Sequence, residues 1–479
     1  MGFLEFTLRI PCLKKTMKLY IQLLAILISL SCNINCCLCQ SNTTISGIIQ
    51  NGENRFIDLS CDDFLFFERQ EIAKTKIDDK GNFSFNFNIA QPMKVRLFNK
   101  LFYICPGDSV NFYIEGDMYD PLKIHVSGTN SNPYNCLILL DSLSKSLPFK
   151  PYFYNFKLGL SNYLDSININ KKAMLALLSQ YSDEFYLPSD FLAYASSKIV
   201  YDFYYQLMFP IISRNFPIDQ IPLAYLNLLN EISLNYDSLA KDRAYAFAAS
   251  QFIRFKEKST TYNSFDIINM HSTGLTKELL LTDHAFSLVQ NYSSKDSTQI
   301  SLTIQTIDKE IKDKEFRKYF SIAKEKLGKY LHPIPEEVLK TVLIDSSGNL
   351  LTFNDLLDKS SNKIIVLDFW ASWCGPCIHG MPLFNKLSLN YGKSDMLFVF
   401  LSLDKSDSDW RGGLSKTQIP GNHYHVLNNF KSDLAKFLDI RTIPRYVILN
   451  RQHMLEKLEA RDPSEGNGLS KQIDNLLLN

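Results

Sequence analysis

Cys374 and Cys377, in the stretch FWASWCGPC, have the types and spacing best suited to covalent chemistry in this chain. Two thiols this close can form a disulfide. One can attack a foreign disulfide, and the other can then resolve the mixed disulfide that results. The apolar run before them, Ile364 to Trp370, predicts a buried strand, and the residues from Pro376 predict a helix. Cys374 then stands at a helix N-terminus, where unpaired N–H groups and the helix dipole favour thiolate. Cys377 lies one turn further on, placed to resolve, and Pro376 suits a first helical turn. Two other readings stand beside the redox couple: a pair of core cysteines, or half of a zinc site. Zinc wants a second Cys or His pair at ligand spacing. The nearby candidates, His423 and His425, form an H-x-H on a strand-like stretch and read more readily as surface.

The elements that would hold this pair belong to a segment from residue 336 to 479. Its text gives a strand, a Ser-Gly turn, a short helix, the buried strand and the Cys pair with its helix. The strand DMLFVFLSLD, the helix NFKSDLAKFLDI, the strand pair RYVILN and LEKLEA, and a closing helix follow. Strands alternating with helices imply an α/β layer. HPIPEEV, His332 to Val338, reads as the linker before it.

Upstream, residues 41–127 are strand-like. GNFSFNFNIA alternates Phe83, Phe85, Phe87 and Ile89 with polar residues, which puts one apolar face on a strand. A hairpin-type turn is expected at Asp79–Asn82 and another turn at Pro106-Gly107-Asp108. Short strands at this spacing predict a β-sandwich. Residues 130–332 turn helical, as in KKAMLALLSQYSDEFY, PLAYLNLLNEISLNY and EIKDKEFRKYFSIAKEKLGKYL. The aromatic stretch FLAYASSKIVYDFYYQLMF reads as core, with a protein-binding surface as the sharper alternative. The expected organisation is multidomain: β-sandwich, α-helical region, then α/β domain.

Composition excludes some classes. A net charge of +1 over 479 residues argues against nucleic-acid binding through a broad basic field. Near the N-terminus, Lys14, Lys15 and Lys18 precede an apolar run from Leu19 to Leu30, the order of an export signal, expected over residues 1–39. Either cleavage near Gln40 or lipidation at Cys32, Cys36, Cys37 or Cys39 would follow, so soluble and lipid-anchored envelope forms both stand. Beyond Cys374 and Cys377 the body keeps Cys61, Cys105 and Cys136. These read as buried small hydrophobes, with Cys61–Cys105 as an alternative disulfide.

VLDFWASWCGPC resembles thioredoxin, and RTIPRYVIL resembles the second hallmark of that family. The resemblance implies an α/β thioredoxin-like domain. Asp368 matches the buried aspartate that helps move the proton of the second cysteine, Trp373 the tryptophan that shields the nucleophile, and Pro444 the cis-proline beside the disulfide. The backbone of Ile443 would then be free to pair with a substrate chain. The exported context and FWASWCGPC...MPLFNKL look like the ResA/TlpA group of thiol-disulfide oxidoreductases, and the sandwich resembles one found in Bacteroidetes-type envelope proteins. The group's usual glutamate is replaced by Gly380, with His379 beside it as a solvent-facing residue or a substitute titrating neighbour. The resemblance implies protein thiol or disulfide substrates, an upstream membrane electron donor, no metal and no cofactor, since no nicotinamide or flavin fingerprint is present. A reductant is favoured over an oxidant. A scaffold protein with a secondary or inactive redox domain is the rival, and a thiol peroxidase is disfavoured because Trp373 and the CxxC pair replace its Thr-x-x-Cys loop.

Overall fold

A computed structural model describes residues 41–62, 69–116, 121–392, 395–463 and 468–478. The expected export signal, with Cys12 and the four cysteines at its end, lies outside the described residues. The chain divides into two compact units, residues 1–203 and 204–479. No helix among the described residues is long and apolar enough to cross a membrane.

The first unit contains the expected sandwich. Its strands are β1 (Ser41–Ile49), β2 (Phe56–Asp62), β3 (Arg69–Lys76), β4 (Asn82–Ile89), β5 (Met93–Leu97), β6 (Lys100–Ile104), β7 (Ser109–Gly116) and β8 (Pro121–Thr129). They form two four-stranded sheets, ordered β4-β1-β7-β8 and β3-β2-β5-β6. Alternation decides the faces: Phe83 and Phe85 of β4 and Val110, Phe112 and Ile114 of β7 are buried, and Phe87 and Ile89 pack against the same core. The turn before β4 joins two sheets rather than two neighbouring strands. Asp78 accepts from the backbone N–H of Lys80 and Asn82 at 2.9 and 2.7 Å, and Gly81 takes the left-handed conformation that the turn needs.

Asp108, in the second turn, is almost fully buried and accepts from Cys105 N at 2.8 Å, Tyr134 Oη at 2.7 Å and Asn130 Nδ2 at 2.9 Å. It thus fastens the sandwich to helix α1 (Ser131–Ser146), after which α2 (Leu160–Glu184) and α3 (Ser189–Ser213) follow. Cys61, Cys105 and Cys136 are free thiols, and only Cys136 is fully buried. The Cys61–Cys105 alternative is overturned because β5 lies between β2 and β6. Two strand spacings are about 9–10 Å, beyond disulfide reach.

The second unit begins within α3 and continues through α4 (Leu223–Asn230), α5 (Arg243–Ser259), α6 (Ser264–His271), α7 (Gly274–Gln290), α8 (Ser297–Glu310) and α9 (Lys314–Leu331). The pattern from Glu310 onward breaks where a continuous helix was expected. Asp313 accepts from Glu315 N and Phe316 N and so starts α9 afresh. The aromatic stretch is mostly core, with Phe191, Tyr201, Phe203 and Leu207 all buried. The linker carries a four-residue helix, α10 (Glu336–Leu339), after Pro335.

Next come β9 (Val342–Asp345), β10 (Leu350–Thr352), α11 (Phe353–Asp358), β11 (Ile364–Trp370), α12 (Gly375–Ser388), β12 (Met396–Ser402) and α13 (Asp407–Thr417). The chain closes with β13 (Asn422–Val426), α14 (Asp433–Phe437), β14 (Arg445–Leu449), β15 (Leu455–Ala460) and α15 (Gly468–Leu477). The seven strands are ordered β10-β9-β13-β12-β11-β14-β15. β11 is central and every one of its residues is buried. It runs parallel to β12 and antiparallel to β14.

Residues of the helical region and its α7–α8 connection cover the edge strand β15. Ser294 N donates to Glu456 Oε1 at 3.2 Å, Leu458 N to Tyr330 Oη at 3.1 Å, and Lys457 Nζ to the Tyr292 carbonyl. Tyr292 and Tyr330 stack with centroids 4.3 Å apart. This satisfies part of an edge that would otherwise offer unpaired backbone groups to other chains.

Candidate active site

β11 ends at Trp370, Cys374 follows four residues on, and α12 begins at the next residue. Cys374 is the N-cap of α12, and its Sγ accepts from Cys377 N at 3.2 Å. The two cysteines form a disulfide, and both are buried, 5% and 1% exposed. In the reduced protein the same N–H and the α12 dipole face Cys374 Sγ, which favours its thiolate.

The Ile443–Pro444 peptide bond is cis, and the Ile443 carbonyl oxygen lies 3.7 Å from Cys374 Sγ. Trp373 is largely exposed, with its ring 6.4 Å from that of Phe430. The structure therefore gathers Cys374, Cys377, Ile443 and Pro444, with Trp373 next to the nucleophile in the chain.

Asp368 is 1% exposed, and neither carboxylate oxygen has a hydrogen-bond partner among the described residues. Burial, reinforced by the Asp462 charge, holds its carboxyl well above the usual range. Strand alternation puts Asp368 on the face of β11 that carries Val366 and Trp370, the face packed against α12 and Cys377. Its register partner on β14 is Tyr446, whose buried hydroxyl also lacks a hydrogen-bond partner there. The Tyr446 ring stacks on Phe384 of α12, 5.5 Å between centroids.

Gly380 has a geometric reason. A Cβ at this position would lie 3.2 Å from Tyr446 Oη, a tight contact. His379, next to it, is exposed.

His423 and His425 are not on the surface, as expected from sequence, but buried at 7% and 3% exposure. β13 lies inside the sheet between β9 and β12, and residues two apart share one face. His423 stacks on Phe400 at 4.4 Å and bonds the Ile419 carbonyl through Nε2 at 2.8 Å. His425 stacks on Trp410 and bonds the Asp404 carbonyl at 2.9 Å. Burial lowers the pKa of His423. No metal-ligating cluster occurs among the described residues.

Asp404 is a site residue that sequence reasoning missed. It is 1% exposed and accepts from Ser372 N at 3.1 and 3.0 Å, Ser372 Oγ at 2.7 Å and Ser402 Oγ at 2.8 Å. It thereby fixes the backbone two residues before Cys374. Gly413 of α13 completes this support, since a Cβ there would lie 2.8 Å from Ser372 Cβ. A carboxylate ending an apolar strand, as in LFVFLSLD, was the available signal.

A mixed α/β sheet that presents a CxxC disulfide at a helix N-terminus against a cis-proline defines a dithiol–disulfide redox fold. Sequence comparisons with known families and relatives agree with that class. A family model described as thioredoxin-like matches residues 362–455. A thioredoxin from Coprinus comatus is 27% identical over 122 residues, 26% of this chain and 90% of the relative. A thioredoxin-like protein from Haemophilus influenzae is 30% identical over 122 residues, 25% of this chain and 67% of the relative. A solved thiol-disulfide oxidoreductase from Bacteroides fragilis aligns at 23% identity, with a TM-score of 0.26, over 29% of this chain and 99% of its own. The chain belongs to the thioredoxin-like family, and the family match lies in its C-terminal part.

Proposed function

We propose that this protein is an exported thiol-disulfide oxidoreductase that reduces disulfides in cell-envelope proteins. The observation that carries the reading is the position of Cys374 Sγ, held 3.2 Å from Cys377 N and 3.7 Å from the Ile443 carbonyl oxygen. In the reduced state the Cys374 thiolate attacks one sulfur of a client disulfide. A Cys374–client bond forms, the client S–S bond breaks and one client thiolate leaves. Cys377 then attacks Cys374 Sγ, forms the intramolecular disulfide and releases the second client thiolate. Asp368 assists the transfer of the Cys377 proton, and the two client thiolates are protonated by that proton and by one from solvent. The client gains two electrons and the protein loses two. A dithiol donor, placed by this reading in the membrane, returns them.

Ile443 supplies backbone groups for an added client strand, and Pro444 and Trp373 form the docking rim. The basic-apolar N-terminus supports export to the periplasm or envelope, and FWASWCGPC...MPLFNKL supports the ResA/TlpA group. The test is capture of clients with Cys377→Ser. This variant retains the attacking thiol but lacks the resolving one, so client proteins should accumulate on Cys374 as dithiothreitol-sensitive adducts. A variant that traps no more protein than Cys374→Ser/Cys377→Ser would refute the reading. A midpoint potential near about −270 mV fits a reductant, and one near about −120 mV an oxidant.

A further inference from the structure

Within the second unit, a cavity of about 830 Å³ adjoins the cis-proline loop. Its size lies within the roughly 300–1,000 Å³ range of ligand sites. One wall belongs to the redox domain and includes Thr442, Pro444 and Arg445, and the other belongs to α5–α7 and includes Arg254, Glu257 and Asp283. The cavity therefore begins at the loop whose Ile443 carbonyl faces Cys374 Sγ.

The wall is polar and carries both signs of charge. Arg254 and Glu257 lie three apart on α5, with both side chains exposed. Ser250 donates to Asp283 of α7, which also feels the Arg254 charge. Across the cavity Arg445 pairs with Glu459 at 2.6 Å. A mixed wall of this kind does not select a strongly acidic or basic ligand. It suits a chain whose backbone amides and hydrophilic side chains can hydrogen-bond on both sides.

An extended chain advances about 3.3 Å per residue. A client strand crossing Ile443 thus reaches the cavity within a few residues of its target cysteine. We infer that α5 and α7 form a second client-reading wall, which holds a polar, mixed-charge polypeptide segment flanking the disulfide under attack. This rests on the reading of the site as a thiol-disulfide oxidoreductase, and it gives the helical region a task beyond covering β15.

The full chain should be assayed with two substrates: a peptide disulfide with hydrophilic flanks carrying both charges, and bis(2-hydroxyethyl) disulfide, too small to reach the wall. Arg254→Gln and Glu257→Gln remove wall charges at exposed positions, so both variants should keep wild-type tryptophan fluorescence. For at least one of them the peptide KM should rise on the order of tenfold, as loss of a hydrogen bond to a charged group allows, with peptide kcat and small-disulfide turnover within about twofold. An unchanged peptide KM in both variants overturns the inference, and so does an equal loss on both substrates, which would show an effect through the redox centre. If the wild-type protein reduces neither substrate, the oxidoreductase reading fails and this one with it. Small-disulfide turnover with no preference for the peptide defeats this inference only.

Discussion

Replacing Asp368 by asparagine isolates the cost of a carboxyl buried without a hydrogen-bond partner. In the unfolded chain this group titrates near 3.8, whereas in the fold burial raises its pKa well above that. Between the two values the native state holds one more proton than the unfolded state. Unfolding free energy therefore falls by about 1.4 kcal/mol for each pH unit gained in that window. The stability associated with the protonated form is fully present below the unfolded value and is lost as pH rises through the folded one. The asparagine side chain has no proton to lose, so the Asp368→Asn variant lacks this slope. Its advantage over wild type grows by about 1.4 kcal/mol per pH unit until the folded carboxyl ionises. The oxidised protein suits the measurement, because disulfide-bonded Cys374 and Cys377 do not titrate. All three tryptophans, Trp370, Trp373 and Trp410, lie in the second unit, so urea unfolding followed by their fluorescence reports it. Carboxylates remote from position 368 contribute equally to both proteins and cancel in the difference. Wild-type and Asp368→Asn stabilities that run parallel from pH 4.5 to 7 would refute the account of an uncompensated buried carboxyl.

Two further substitutions test contacts that position the site and the sandwich. Gly380→Ala adds a methyl group 3.2 Å from Tyr446 Oη, held in place by its stack on Phe384. The helix-propensity gain of about 1 kcal/mol should be cancelled in the wild-type background and recovered in Tyr446→Phe. Equal Gly380→Ala effects in the two backgrounds, by the same urea titration, would show that the hydroxyl is not the obstacle. Asp108→Ala orphans the Tyr134 hydroxyl and the Cys105 N–H, at about 1–3 kcal/mol for each buried group. The first unit lacks tryptophan, so circular dichroism should show a transition at lower urea concentration while the tryptophan transition stays put. Coincident shifts in both signals would mean that Asp108 acts on more than the sandwich.

What could be read from sequence divides along contact range. The redox pair was legible because its chemistry depends on residues three apart, and β11 because seven consecutive apolar-run residues are buried together. Phe83 and Phe85 were legible because a strand repeats every two residues. The rest depends on pairings that no local period records. Asp404 holds Ser372 across 32 positions, and Tyr330 meets Leu458 across 128. Asp368 and Tyr446 become neighbours only because β14 returns antiparallel beside β11. The H-x-H shows the same limit. A polar residue on a strand reads as exposed when the strand's neighbours are unknown, and β13 gains two of them. Stacking on Phe400 and Trp410, with a carbonyl for each Nε2, compensates part of the burial. Gly380 joins the two levels. The sequence marks it as a departure from the resembled group, and the sheet register brings the tyrosine opposite Asp368 within 3.2 Å of where its Cβ would be. A side chain at position 380 would therefore press on the Tyr446 hydroxyl, which links the two positions.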